Sequence, residues 1–309
     1  MDSKLTNEED IAQILIGFYQ GLFESANPCS IDQAVADIPP LVTLEMNDML
    51  QEEYTRAEMD TALHQMEALK VPGPNGMPPM FFQHYWQTIG DDVSAAMLSC
   101  LNIGSIPPSI NKTFITLIPK VKSPTLVSEY RPISLCNILY KLVSKVIANR
   151  LKRILPNLIS DSQSAFQSDK AISNNILVAF ETLHHMKIHK AKSSRFMALK
   201  LDMSKAYDRV EWSFLKKIME KMGFGASWVQ LVMECISTVS YSILVNGEPK
   251  GEIKPTRGIR QGDLLSPYLF LLCFEGLNRL IQGAAREDKI RGFSFCRSRP
   301  RISHLFFCR

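Results

Sequence analysis

Apolar residues recur at helical spacing over residues 8–25, at Ile11, Ile14, Leu15, Phe18 and Leu22, which predicts an amphipathic helix closed by Asn27-Pro28. A second helix is expected over 56–70, where Met59, Leu63, Met66 and Leu69 share a face behind Thr55. Between them, 29–56 is acidic and broken by Pro39-Pro40, the pattern of a connector. Residues 71–78 hold Pro72, Gly73, Pro74, Gly76 and Pro78, so they can be neither helix nor interior strand. The period then shortens: 113–120 and 196–202 alternate as strands do. Helices are expected over 134–155, 171–190, 211–222, 226–237 and 265–285, with a hairpin over 239–255 turning at Asn246-Gly247. This order of elements implies an α+β fold.

Composition narrows the class without naming it. With 46% hydrophobic and 21% charged residues, the 309-residue chain is an ordinary folded protein. Its length allows about two domains. Seven cysteines without a CxxC pair fit a reducing compartment. The most apolar stretch, 264–274, is too short for a bilayer and contains Ser266 and Pro267. Residues 1–10 carry four acids ahead of any apolar run, unlike a signal peptide. An intracellular chain, nuclear or cytoplasmic, is expected, with no membrane partner.

Charge changes the picture more. Residues 1–70 hold 14 acidic and 3 basic side chains, whereas 71–309 hold 17 acidic and 32 basic. A basic body of this size attracts a polyanion, or simply keeps the chain solvated. The clusters Lys141-Lys145-Arg150-Lys152-Arg153 and Lys187-Lys190-Lys192-Arg195 are candidates for a binding face.

Three segments hold groups suited to phosphate chemistry. Asp202 closes the alternating run 196–202 ahead of a turn, where a carboxylate either caps a helix or helps to hold Mg²⁺. Arg257-Gly258-Ile259-Arg260-Gln261-Gly262-Asp263 brackets polar side chains with glycines, as an ordinary turn does and as a loop approached by a ligand does. Lys120, Lys122 and Arg131 are either solvated cations or a triphosphate clamp.

Their wording and order resolve what each leaves open. Gly73-Pro74-Asn75-Gly76, Phe114-Ile115-Thr116-Leu117-Ile118-Pro119-Lys120, Tyr130-Arg131-Pro132-Ile133-Ser134-Leu135, Leu201-Asp202-Met203-Ser204-Lys205-Ala206-Tyr207-Asp208 and Arg260-Gln261-Gly262-Asp263 together resemble the reverse transcriptase of plant LINE-type non-LTR retrotransposons. The resemblance implies a right-hand polymerase fold and RNA-directed DNA synthesis with two Mg²⁺ ions, dNTPs, an RNA template and a DNA primer. It gives Asp202 the role of first metal carboxylate and Tyr207 that of steric gate under the sugar. Lys120 and Arg131 would contact the triphosphate, and Gln261 and Gly262 would lie against template–primer and nucleotide.

The chain departs from the family's wording at Asn75, at Leu264 and over Gln167-Ser168-Asp169-Lys170. At the C-terminus, Ile302-Ser303-His304-Leu305-Phe306-Phe307 runs into Cys308-Arg309 where the family has Ala-Asp-Asp. The expectation is an acidic helical connector over 1–60, fingers with part of the palm over 61–195, and an incomplete palm over 196–309. The partner Asp pair, thumb and endonuclease would be missing. Such a fragment would not polymerise, because one aspartate cannot organise two magnesium ions. The alternatives are a catalytically dead protein that grips RNA or heteroduplex, and a pseudogene product without function.

Overall fold

The computed structural model describes residues 7–160, 163, 172–188, 196–294 and 301–306. The stretch 167–170, the cations Lys190, Lys192, Arg195, Arg297 and Arg299, and the terminal Cys308-Arg309 lie outside the described residues.

The fold is a mixture of helices and one small mixed sheet. In order come α1 (Glu8–Leu22), α2 (Ile31–Ala34), α3 (Leu44–Gln51), α4 (Arg56–His64), α5 (Pro79–Ile103) and α6 (Pro108–Asn111). Strands β1 (Lys112–Pro119) and β2 (Tyr130–Cys136) follow, then α7 (Ile138–Leu158), α8 (Ile172–Ile188), α9 (Trp212–Met222) and α10 (Ala226–Ser237). The hairpin β3 (Ser240–Val245) and β4 (Glu248–Ile253) precedes α11 (Ser266–Arg286). The sheet order is β2-β1-β3-β4. β1 runs antiparallel to β2, with Thr113 opposite Cys136 and Pro119 opposite Tyr130, and parallel to β3, with Lys112 beside Ser240.

Local chemistry places most boundaries. The Asn7 side chain accepts from the Glu9 N–H at 3.2 Å, with Glu8, Glu9 and Asp10 in the first turn of α1. Thr55 and Glu58 form a capping box at α4. Gly104 and Gly223, both at positive φ, end α5 and α9. Asn246 and Gly247 both take positive φ, as the tight turn between β3 and β4 requires.

Two cores result. The smaller packs α1 on the sheet, joining Tyr19, Leu22 and Phe23 to Ile115, Tyr241, Ile243 and Ile253. The larger unites α3, α4, α5, α7, α9, α10 and α11 around Leu63, Leu142, Ile147, Leu151, Met219 and Trp228. Val35, Ile38, Val42 and Leu50 are buried in it, so the acidic stretch 29–56 is packed and partly helical.

Arg150 explains how so acidic a segment stays docked. Its guanidinium meets the Glu58 carboxylate at 2.7 and 2.8 Å, and donates to the carbonyls of Leu50, Glu52 and Glu53 at 2.9, 2.5 and 3.0 Å. It also lies 3.7 Å from the centre of the Tyr54 ring. These carbonyls lie at and just beyond the end of α3, where a helix leaves acceptors unpaired. Burial would raise Glu58, but the hydrogen bonds from Arg150 and Thr55 hold it below the usual carboxylate range.

Two expectations about strands need correction. The helix expected from 134 begins at Ile138, and Tyr130–Cys136 is a strand. β2 is an edge, and the Ser134 N–H points away from β1, to the Gln261 carbonyl. Pro132, two residues earlier, faces the same way, so its missing N–H removes no ladder bond. Conversely, 196–202 is not a strand: it is irregular, with Met197, Leu199 and Leu201 at 84%, 70% and 79% exposure. A strand exists only with a neighbour to take its backbone bonds, and no strand pairs with this segment among the described residues.

Candidate active site

Residues far apart in sequence gather around β2. On the β1–β2 hairpin, Lys120 pairs its backbone N–H with the Glu129 carbonyl at 2.8 Å, while Ile118 stands opposite Arg131. This register puts Lys120 and Arg131 on the same face near the hairpin tip, both exposed. The Lys120 ammonium donates to the Ser128 carbonyl at 3.1 Å. The Glu129 carboxylate receives the N–H groups of Thr125 and Leu126, which holds it low and fixes the turn.

The turn after Asp202 divides into a loose half and a held half. Asp202 itself is exposed on irregular backbone. Lys205 takes a positive φ of 53°, and its ammonium lies 4.3 Å from the Phe18 ring centre and 5.4 Å from that of Tyr19. That nitrogen is buried without a hydrogen-bond partner, and burial lowers its pKa. Tyr207 stacks on Phe270 with centroids 4.5 Å apart. Asp208 is 6% exposed, and burial raises its carboxyl to about 6 although Lys205, Lys120 and Arg209 pull the other way. The Lys120 charge therefore reaches this turn from β1.

The segment 257–263 closes over the same turn. Gly258 donates to the Val210 carbonyl at 2.7 Å, Ile259 donates to that of Tyr207 at 2.9 Å, and the Trp212 indole donates to Gly258 at 2.7 Å. A Cβ on Gly258 would stand 2.9 Å from the Asp208 carbonyl oxygen, at a φ of +94°. Next along, Gly262 packs on Ser134 of β2, where a Cβ would meet its carbonyl oxygen at 3.0 Å. Gln261 and Gly262 keep solvent access, whereas Arg260 and Asp263 do not. Arg260 donates to Asn111 at 2.5 Å and to the Cys235 carbonyl at 2.8 Å, and stacks on Tyr140. Asp263 accepts from the Tyr140 hydroxyl at 3.0 Å. Both are internal struts.

Gly73 completes the arrangement. An added Cβ there would come within 2.4 Å of the Cys136 carbonyl carbon, so the 73–76 turn sits directly on the end of β2. Elements from all five sequence blocks thus contact one strand or its immediate neighbours.

Residues 118–298 match the family model described as reverse transcriptase (RNA-dependent DNA polymerase), well over half of the chain. This chain belongs to that family. The reverse transcriptase domain is 31% identical over 273 residues to an uncharacterized 149 kDa protein of transposon TX1 from Xenopus laevis, covering 88% of this chain and 21% of that protein. It is 24% identical over 274 residues to a retrovirus-related Pol polyprotein from a type-2 retrotransposable element of Drosophila melanogaster, covering 87% of this chain and 24% of the other. An uncharacterized mitochondrial protein of Arabidopsis thaliana is 47% identical over 64 residues, 21% of this chain and 52% of that one. The chain thus spans between a fifth and a quarter of the first two relatives. These names agree with the expected retrotransposon class.

Divalent metal ions serve this family in general, but the described residues of the reverse transcriptase domain do not compose a metal site. Among them no group of three or more His, Cys, Asp or Glu side chains stands close enough to hold an ion. Asp202 stands exposed on irregular backbone, and Asp208 sits buried, where desolvation raises its carboxyl to about 6. Asp263 is buried, its Oδ2 accepting from Tyr140 and its Oδ1 without a hydrogen-bond partner among the described residues.

The structure also sorts the lysine- and arginine-rich stretch of α7. Arg150 belongs to the Glu58 clamp and Lys141 is buried, reaching the Val71 carbonyl at 3.4 Å, so neither offers a binding face. Lys145, Lys152 and Arg153 remain accessible. No helix among the described residues is long and apolar enough to cross a membrane. Sequence reasoning missed the part of α1, whose Phe18-Tyr19 pair receives Lys205. Tyr19 is buried in the smaller core and Phe18 keeps partial exposure, and only their adjacency on the helix hinted at such a role.

Proposed function

We propose that this domain belongs to a LINE-type non-LTR retrotransposon of plant type, and that its fingers and palm hold an RNA template, a DNA primer and an incoming dNTP at the β2-centred site. In this reading Lys120 and Arg131 contact the triphosphate, Tyr207 lies under the sugar, and Gln261 with Gly262 borders the template–primer. Asp202 is the first metal carboxylate. The observation that carries the reading is the packing of separated blocks around β2: Gly73 on Cys136, Gln261 and Gly262 on Ser134, and the turn after Asp202 on Gly258 and Ile259. Two cations on one hairpin face suit a triphosphate, and arginine supplies a planar fork.

In this reading the described residues grip nucleotide and nucleic acid without joining them, because they bring no group of three or more His, Cys, Asp or Glu side chains together to hold an ion. Primer extension on a primed RNA template with Mg²⁺ and dNTPs tests this, with Asp202→Ala run alongside. Neither protein is expected to extend the primer, while a labelled dNTP cross-links to the wild-type chain and much less to Lys120→Ala/Arg131→Ala. Extension by the wild type that Asp202→Ala abolishes would mean that another carboxylate completes the metal site.

A further inference from the structure

A second cationic surface lies on α7, apart from the β2-centred site. Lys145, Asn149 and Lys152 stand at i, i+4 and i+7, on one face of that helix. They line a cleft of about 540 Å³ whose opposite wall is Thr61 and Gln65, on and just past the end of α4. A smaller continuation shares Thr61 and Asn149 and adds Arg153 together with Glu58 and Arg150, which neutralise each other. All five side chains of the main cleft are polar, and both charged ones are cations.

This charge is not neutralised from within. No ion pair among the described residues involves Lys70, Lys145 or Lys152. Burial, and then the charges of Lys152 and Lys70, push the Lys145 ammonium below its ordinary range. The contrast with Arg150 is direct: one turn past Lys145, that residue has a carboxylate partner and three carbonyls, and Lys145 has neither. Cations crowded without counter-charge are stabilised by an anion that displaces their diffuse counterions.

Dimensions set the kind of anion. Lys145 and Lys152 are about 10 Å apart along the helix axis, farther than one phosphate group spans, and they stand roughly 10 and 20 Å from the start of α7 beside β2. A ligand that meets both must carry several anionic groups in a chain. Thr61, Gln65 and Asn149 add neutral donors and acceptors between the charges, suited to ribose hydroxyls.

We propose that the α4–α7 cleft holds the phosphodiester backbone of single-stranded RNA. That the ligand is a polyanionic chain rests on the cleft alone, and the choice of RNA rests on the function proposed above. The test is fluorescence anisotropy of a labelled single-stranded RNA, and of DNA of the same sequence, titrated with the full chain at several salt concentrations. Lys145→Ala/Lys152→Ala should weaken RNA binding about tenfold at low salt and flatten the slope of log K against log salt by about 1.4, two contacts at about 0.7 each. Asn149→Glu should weaken binding similarly, whereas Lys145→Arg/Lys152→Arg should bind as wild type does, and DNA should bind several-fold more weakly. An alanine variant with wild-type melting, affinity and salt slope would overturn the proposal, as would equal affinity for DNA or no RNA binding by the wild type. The dNTP cross-link should survive in the cleft variant. Loss of RNA binding alone therefore belongs to the cleft, and loss of the cross-link in Lys120→Ala/Arg131→Ala belongs to the β2-centred site.

Discussion

Residues 196–204 and 205–210 are consecutive, yet they are held in opposite ways. The second stretch is bonded through backbone to Gly258 and Ile259, stacked on Phe270 and packed beneath α1. The first leaves Met197, Leu199, Leu201 and Met203 in solvent. Composition points the wrong way, since 196–204 is mostly hydrophobic and 205–210 is half charged. The difference lies in partners: 205–210 meets a segment whose glycines allow backbone to approach backbone, and 196–204 meets no strand among the described residues. Asp202 falls on the loose side of that divide and Tyr207 on the held side.

The contrast can be strained first where anchoring is densest. Arg150→Ala, which strips Glu58 and three carbonyls of their donor, should cost about 3–5 kcal/mol and lower the urea midpoint accordingly. A loss under 1 kcal/mol would mean that water replaces the guanidinium freely. Gly258→Val brings a branched side chain onto the Asp208 carbonyl at a φ that only glycine accepts readily, and should cost about 3 kcal/mol. If it melts like wild type, the held half of the turn is not held by that contact.

An intermediate effect is expected from pH. The folded chain keeps a proton on Asp208 up to about pH 6, while the unfolded chain releases it near the ordinary carboxylate value of 3.8. The protonated group therefore favours folding at acid pH, and that contribution disappears as pH rises through 6. Asp208→Asn should be more stable than wild type at pH 7 by on the order of 2 kcal/mol, with little difference at pH 4. Urea midpoints at the two pH values decide it, and an equal gap at both would show that Asp208 titrates like an exposed carboxyl. The smallest effect belongs to the loose half: Leu201→Ser should change stability by less than about 0.5 kcal/mol while reducing aggregation seen by light scattering. A loss of 2 kcal/mol would show that 196–204 is packed after all.

Helices α9 and α10 were legible in the sequence because their buried faces, such as Leu215, Ile218, Met219 and Met222, keep the helical period unbroken. α5 was not, since its buried face includes Gly90 and Ser94, which interrupt the apolar stripe so that α4 can approach. β2 was hidden by Pro132, whose cost vanishes only at an edge facing Gln261. In the site, the wording of the motifs singled out Lys120, Arg131, Tyr207, Gln261 and Gly262, and the backbone bonds Ile259 to the Tyr207 carbonyl and Ser134 to that of Gln261. Within 260–263 that wording gave roles to Gln261 and Gly262 alone, and the burial of Arg260 and Asp263 is decided by Asn111, Cys235 and Tyr140, all distant in sequence.

The parallel pairing of β1 with β3 has a consequence during synthesis. Lys112 and its partner Ser240 are separated by more than a hundred residues, which include all of α7 through α10. At about 5–20 residues per second, the ribosome needs roughly 6–25 s to deliver β3 after β1 has emerged. Through that interval the β1–β2 hairpin can form alone but leaves open the β1 edge that β3 will cover, and Ile115, destined for the smaller core, waits uncovered. The nascent chain is most vulnerable to pairing with a neighbour on the same polysome at that stage, before its own third strand arrives.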